Sequence, residues 1–219
     1  MDPKMQTTQA SITEIKQQIA DRGFSINKGT GGLENSQNLL ISGVEPLDQF
    51  FGGGLPFGNL LEMGMPHAKG GRICLVPFLA QASVQELWCL WAFALAEVNL
   101  FAPAFLGRGV KPEKMFFTHS AQPIEELKSL LLHPLFKVII LDSPQRLKRE
   151  DLGFLATQAR AQGKLIIVIR PYFLSNKLGN IWAHWRVNIW RNHRRKDFIF
   201  RPVRGLGAKD LQLGESCLR

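Results

Sequence analysis

The chain has no apolar run long enough to cross a bilayer. Its richest stretch, Leu87 to Leu106, is interrupted by Glu97 and Asn99, whereas a span needs roughly 20 apolar residues. The N-terminus, MDPKMQTTQA, lacks the apolar segment of a secretory leader, so the sequence reads as cytoplasmic with no membrane partner. Cysteine is scarce: Cys74, Cys89 and Cys217 are odd in number and widely spaced, which argues against a disulfide framework or a zinc site. His67, His119, His133, His184 and His193 show no metal-ligand spacing, and no Ser, His and Asp fall into a catalytic order. Neither a metal site nor a catalytic residue is therefore expected. Acids are also in deficit, with 18 Asp and Glu against 27 Lys and Arg for a net charge of +9. Such a balance favours a polyanionic partner, DNA first among them.

Most of that excess is local. Between Ile181 and Gly205 stand Arg186, Arg191, Arg194, Arg195, Lys196, Arg201 and Arg204 against the single acid Asp197. Here WAHWRVNIW and DFIFRPV alternate at period two around the basic turn RNHRRK, which predicts an antiparallel hairpin at one edge of a sheet. Trp182, Trp185 and Trp190 interleave with the cations, the mixture that base stacking beside phosphate neutralisation needs. The pleat puts Trp185, Val187 and Ile189 on a core face and Trp182, His184, Arg186, Asn188 and Trp190 on the other. Arg186, Trp190, Arg191, Arg194, Arg195, Lys196, Arg201 and Arg204 are thus the candidates for DNA or partner binding. For the Arg191 to Lys196 cluster, the alternative is a solvated tip whose charges blunt an exposed strand edge.

With 219 residues and 45% hydrophobic composition, the chain can bury one substantial core. Ser11 and Glu14 form a capping box, and Ile12, Ile15 and Ile19 share one face, which predicts a helix over Ser11 to Arg22. A Gly- and Asn-rich linker follows. The expected organisation is an N-terminal helix and linker over 1–38, a core domain over 39–206, and a flexible tail over 207–219. Within the core, apolar runs at Asn59–Met63, Leu87–Phe93, Lys114–Thr118, Lys137–Leu141 and Lys164–Arg170 alternate with helical segments such as Pro123–Leu132 and Lys148–Gln162. Continuous apolar strands between helices predict an α/β fold: a mainly parallel sheet covered by helices on both faces, with an antiparallel C-terminal edge hairpin.

The loop after the first of these strands has the layout of a phosphate cradle without its chemistry. Such a cradle needs G-x-x-x-x-G-K-[S/T], with glycines for close backbone approach, lysine for charge and a hydroxyl for Mg²⁺. With Glu62 and Pro66 in register, Met65 takes the first glycine position, Gly70 the second, Gly71 the lysine position and Arg72 the hydroxyl position. Lys69 lies two residues early, and no Ser or Thr occurs between Ser42 and Ser83. Gly64, His67, Lys69, Gly70, Gly71 and Arg72 form this degenerate loop, which reads either as a plain strand-to-helix turn or as a weak anion site. Pro77 adds that the following helix must kink or restart.

Over about residues 39 to 206 the order of these motifs resembles the RecA family, whose fold is of the P-loop NTPase type. ISGVEPLDQFFGGGLPFGNLLEM is similar to the recombinase opening, FKVIILDS to the Walker B strand with Asp142 in the Mg²⁺-organising position, and KLIIVIR to the sensor strand. Glu97, closing AFALAE, stands where the family has its water-activating carboxylate. Asp142 and Glu97 also fit purely structural roles. The segments that would form the single-strand-binding loops are short, as in PYFLSNKLGNI, so strand exchange is not expected. Within the superfamily, NLFAPAFLGRGVKPEKMFFTHSAQPIEELKSLLLHPLFKVIILD and the proline of RICLVPFLAQA resemble the ImuA group and its relative SulA. That likeness implies a non-catalytic accessory protein of SOS mutagenesis and translesion synthesis. It would act without a cofactor, beside an ImuB-like protein, an error-prone replicative-type polymerase and RecA, with DNA as a further candidate partner. Two other readings stay open: a SulA-like inhibitor of cell division, and an ATPase using Lys69, Asp142 and Glu97.

Overall fold

Apolar runs bounded by turn residues form the parallel part of one sheet, since strands buried on both faces need no polar alternation. The computed structural model describes residues 38–94, 103–177 and 179–218, so the expected helix at Ser11 to Arg22 and the candidate Glu97 lie outside the described residues. Strand β1 (Leu39–Leu40) pairs with β2 (Leu55–Pro56) around helix α1 (Glu45–Phe50). The main sheet is built from β3 (Asn59–Gly64), β4 (Trp88–Phe93), β5 (Met115–His119), β6 (Phe136–Asp142), β7 (Leu165–Arg170), β8 (Trp185–Asn192), β9 (Asp197–Arg204) and β10 (Leu211–Gly214). Its order is β10-β9-β8-β3-β7-β6-β4-β5. From β8 to β5 every pairing is parallel; β9 and β10 add antiparallel ladders.

The pleat divides the core in two. Leu61, Met63, Trp91, Ile140 and Ile167 face one side, where Leu47 of α1 and Phe78 and Leu79 of α2 (Val76–Val84) cover them. Leu60, Leu90, Ile139, Ile166 and Val168 face the other, against Leu152, Leu155 and Ala159 of α6 (Arg149–Gln162). Each such side chain contributes about 1.5–3 kcal/mol on leaving water. The remaining helices are short: α3 (Pro103–Leu106), α4 (Pro123–Glu126) and α5 (Lys128–Leu132).

Pro77 acts as expected. The chain leaves the loop as a 3₁₀ turn, Gly71–Leu75, and restarts as α2 with proline in its first turn. Three expectations need correction. The helix expected over Pro123–Leu132 is two short helices meeting at Leu127. The tail expected to be flexible instead supplies β10, paired to β9 from Leu211↔Phe200 to Gly214↔Asp197, with Leu213 and Leu218 buried. In consequence the β8–β9 hairpin is not the sheet edge: β8 lies beside β3 and β10 covers β9.

Lys164 is fully buried and donates to the carbonyl oxygens of Leu131 and His133, each at 2.7 Å, tying α5 to the start of β7. Burial, assisted by Lys137, lowers its pKa to about 8. Among the described residues no helix is long and apolar enough to cross a membrane.

Candidate functional site

Parallel strands deliver their C-terminal ends to one rim, and β3, β7 and β6 are neighbours, so Gly64, Arg170 and Asp142 arrive side by side. The loop after β3 is pinned at both ends. Met65 N–H donates to the Arg170 carbonyl at 2.8 Å, and the Lys69 carbonyl accepts from Arg191 N–H at 2.7 Å. Between them His67, Ala68, Lys69 and Gly70 are exposed, with Ala68 and Gly70 at φ of 58° and 67°. Gly71 is buried against β8: a Cβ there would stand 2.7 Å from the Ile189 carbonyl oxygen. A side chain at the lysine position is therefore sterically excluded.

Arg72 turns inward instead. Its Nε donates to Asp142 Oδ2 and its Nη2 to Asp142 Oδ1, both at 2.7 Å, while Nη2 also reaches Ser143 Oγ at 3.1 Å and Nη1 the Met65 carbonyl at 3.3 Å. Asp142 is 1% exposed. A two-pronged arginine–carboxylate pair is the strongest common form of charge-assisted hydrogen bond. Ser143 also donates to Asp142 Oδ1 at 2.9 Å and holds a left-handed φ of 53°. These residues do not fit a magnesium–triphosphate. Both oxygens of the acid that would organise the metal are engaged by the protein's own cation, and the loop has no room for the lysine.

A second ion cluster lies one strand away. Glu62, 3% exposed on β3, receives Arg170 Nε on Oε1 at 2.9 Å and Arg186 Nε on Oε2 at 2.8 Å. Arg186, expected on a binding surface, is thus buried; it also donates to the Ser175 carbonyl at 3.0 Å. The reason is a cover that the strand pattern does not reveal. The segment after β7 folds over this face, and Asn188 exchanges hydrogen bonds with the backbone of Leu174 at 2.6 and 3.0 Å.

The remaining hairpin candidates divide by whether a partner engages the side chain. Arg191 makes a two-pronged pair with Glu215, which raises its pKa further. Arg201 pairs with Asp210 at 2.9 Å and lies over the half-buried Trp190 ring at 5.2 Å, while Phe173 meets that ring edge-on. Arg204 donates to the carbonyls of Ile181 and Ala183 at 3.0 and 3.1 Å. Arg194, Arg195 and Lys196 crown the turn as exposed cations with no ion-pair partner among the described residues, their backbone shaped by Asn192 Oδ1 accepting from the Arg194 and Arg195 N–H groups. The candidate set therefore contracts to this tip.

Sequence reasoning missed Glu62, Ser143 and Glu215 as members of these networks. For Glu62 a signal existed, because a lone acid inside a fully apolar strand must find a buried cation. For the others none did. Among the described residues no three His, Cys, Asp or Glu side chains gather closely enough to hold a metal ion. Compared with family models and with curated proteins, the chain matches neither a family nor a relative.

Proposed function

We infer that this chain is a non-catalytic RecA-like accessory protein of DNA-damage-induced mutagenesis, an adaptor that binds translesion polymerase partners and DNA. The reading rests first on the order of segments over residues 39–206 and on the convergence of the loop, the Asp142 strand and the Arg170 strand at one rim. The observation that carries its non-catalytic part is Arg72 clasping Asp142. Phosphoryl transfer relies on a lysine, a hydroxyl and a metal-organising acid. Here the loop has no hydroxyl, its lysine, Lys69, stands two residues before the position that needs one, and the acid is neutralised from within. What is left for the scaffold is binding, and the exposed Arg194, Arg195 and Lys196 at the hairpin tip supply an electrostatic handle for it.

The test is capture of partners by the full chain. Retention of an ImuB-like protein, an error-prone polymerase subunit or RecA, together with no binding of a fluorescent ATP analogue at micromolar concentration, is expected. Failure with all three partners, or magnesium-dependent ATP turnover, would overturn the reading. Filamentation of cells on overexpression, without capture of any polymerase subunit, would replace it with inhibition of cell division.

A further inference from the structure

On the side of the sheet covered by α6, away from the Arg72 loop, the segment after β7 roofs a half-enclosed cavity of about 560 Å³. That size suits a small ligand, since such pockets run from about 300 to 1,000 Å³. Arg149, Arg170 and Arg186 line it against one acid, Glu62, whose two oxygens are already occupied by Arg170 and Arg186. Arg149 is exposed in the first turn of α6 and has no ion-pair partner among the described residues. The cavity is thus electropositive as it stands.

Its walls are aromatic. Tyr172 and Trp182 are 55% and 46% exposed, a large apolar area to leave in water. Trp182 packs against Gly153 of α6, where a Cβ would lie 3.4 Å from its ring, an ordinary contact distance. Gly179 leaves the room that Arg186 fills, since its guanidinium would lie 2.1 Å from a Cβ there. One donor is left over. Asn180 lines the cavity at 5% exposure; its Oδ1 accepts from Trp182 N–H at 2.9 Å, which fixes the amide orientation, and its buried Nδ2 has no partner among the described residues. A buried donor without an acceptor costs about 1–3 kcal/mol, so a native structure that retains one calls for an explanation.

We propose that this cavity is a nucleotide-monophosphate site. A phosphate takes the free charge of Arg149 and the guanidinium edge of Arg170, a base stacks on Tyr172 or Trp182, and an acceptor of the ligand satisfies Asn180 Nδ2. The ligand chemistry is one phosphate and one base, whether from a free mononucleotide or from the 5′ end of a strand. The proposal does not depend on the partner-binding reading or on the hairpin tip, which occupies a different part of the fold.

The probes are deoxythymidine monophosphate and a fluorescent ten-residue oligo-dT with and without a 5′-phosphate, titrated against the full chain. Arg149→Glu and Tyr172→Ala alter exposed side chains, and Asn180→Asp keeps the acceptor while removing the donor. Each is expected to weaken nucleotide binding by about tenfold or more, with the melting transition checked for each variant. Reversal of the Arg194, Arg195 and Lys196 charges is expected to leave mononucleotide binding within twofold. Equal binding of the mononucleotide and the phosphorylated strand identifies a free nucleotide as sufficient; binding of the strand alone, lost without its 5′-phosphate, identifies a strand end. Absence of binding by every probe at millimolar concentration, indifference to Arg149→Glu, or occupancy only by an acidic peptide would overturn the proposal.

Discussion

Gly71 lies so close beneath β8 that its missing Cβ would meet the Ile189 carbonyl oxygen at 2.7 Å. Strand and loop meet at the position that the sequence puts in register with the lysine of a phosphate loop. Placing a lysine and a hydroxyl there by Gly71→Lys with Arg72→Ser is therefore expected to destabilise the fold by more than about 4 kcal/mol, because overpacking of roughly 1–3 kcal/mol adds to the roughly 3–5 kcal/mol of leaving buried Asp142 without its arginine. It is not expected to create ATP hydrolysis. Urea denaturation and a phosphate-release assay measure the two halves; a folded variant that hydrolyses ATP would contradict them.

Arg72 and Asp142 give a second prediction. Removing one member of a buried pair leaves an uncompensated charge, so Arg72→Ala is expected to cost about 3–5 kcal/mol. Replacing both, by Arg72→Met with Asp142→Leu, is expected to fall within about 1.5 kcal/mol of the parent, since buried pairs exchange for apolar ones with little net change. Chemical denaturation midpoints distinguish these outcomes.

Lys164 makes stability depend on alkaline pH in a definite direction. Its pKa falls from 10.5 to about 8 in the folded chain. Between those values the unfolded chain binds more protons than the folded one, so the contribution of this group to stability rises as pH increases from about 8 to about 10.5. Below pH 8 both states carry the charge and the burial penalty is constant. Lys164→Met is expected to flatten that rise in a series of thermal melts, even if its overall stability falls through loss of the bonds to Leu131 and His133.

At the hairpin tip, charge and stability should separate. Arg194→Glu, Arg195→Glu and Lys196→Glu change exposed side chains and are expected to shift stability by no more than about 0.5 kcal/mol each. Together they should abolish salt-sensitive binding of DNA, read as a loss of slope against salt concentration. Lys196→Gly is expected to raise stability by up to about 1 kcal/mol, because Lys196 sits at a φ of 52°, which glycine adopts without strain.

What the sequence revealed and what it concealed have separate physical causes. Five of the six parallel strands were legible because each is a short apolar run between breakers, and the restart at Pro77 because proline lacks a donor whatever surrounds it. Arg186 was misread because alternation at period two shows that two faces differ, not what covers the second; the cover comes from a separate segment around Leu174. The Arg72–Asp142 pair joins positions 70 residues apart, and no local pattern carries that information. Leu211–Gly214 is too short and polar to announce a strand, yet it forms one because β9 offers it an unpaired ladder.

That last ladder gives the carboxyl end of the chain a role beyond length. Arg191 and Glu215 fasten it as a clasp fastens a strap, and the four residues of β10 occupy β9's outer row of amides and carbonyls. Trimming the chain after Arg204 would bare the Asp197–Phe200 half of β9, which carries Phe198, Ile199 and Phe200, and fragments cut there would be prone to stick to one another. Any shortened or tagged form should leave β10 whole.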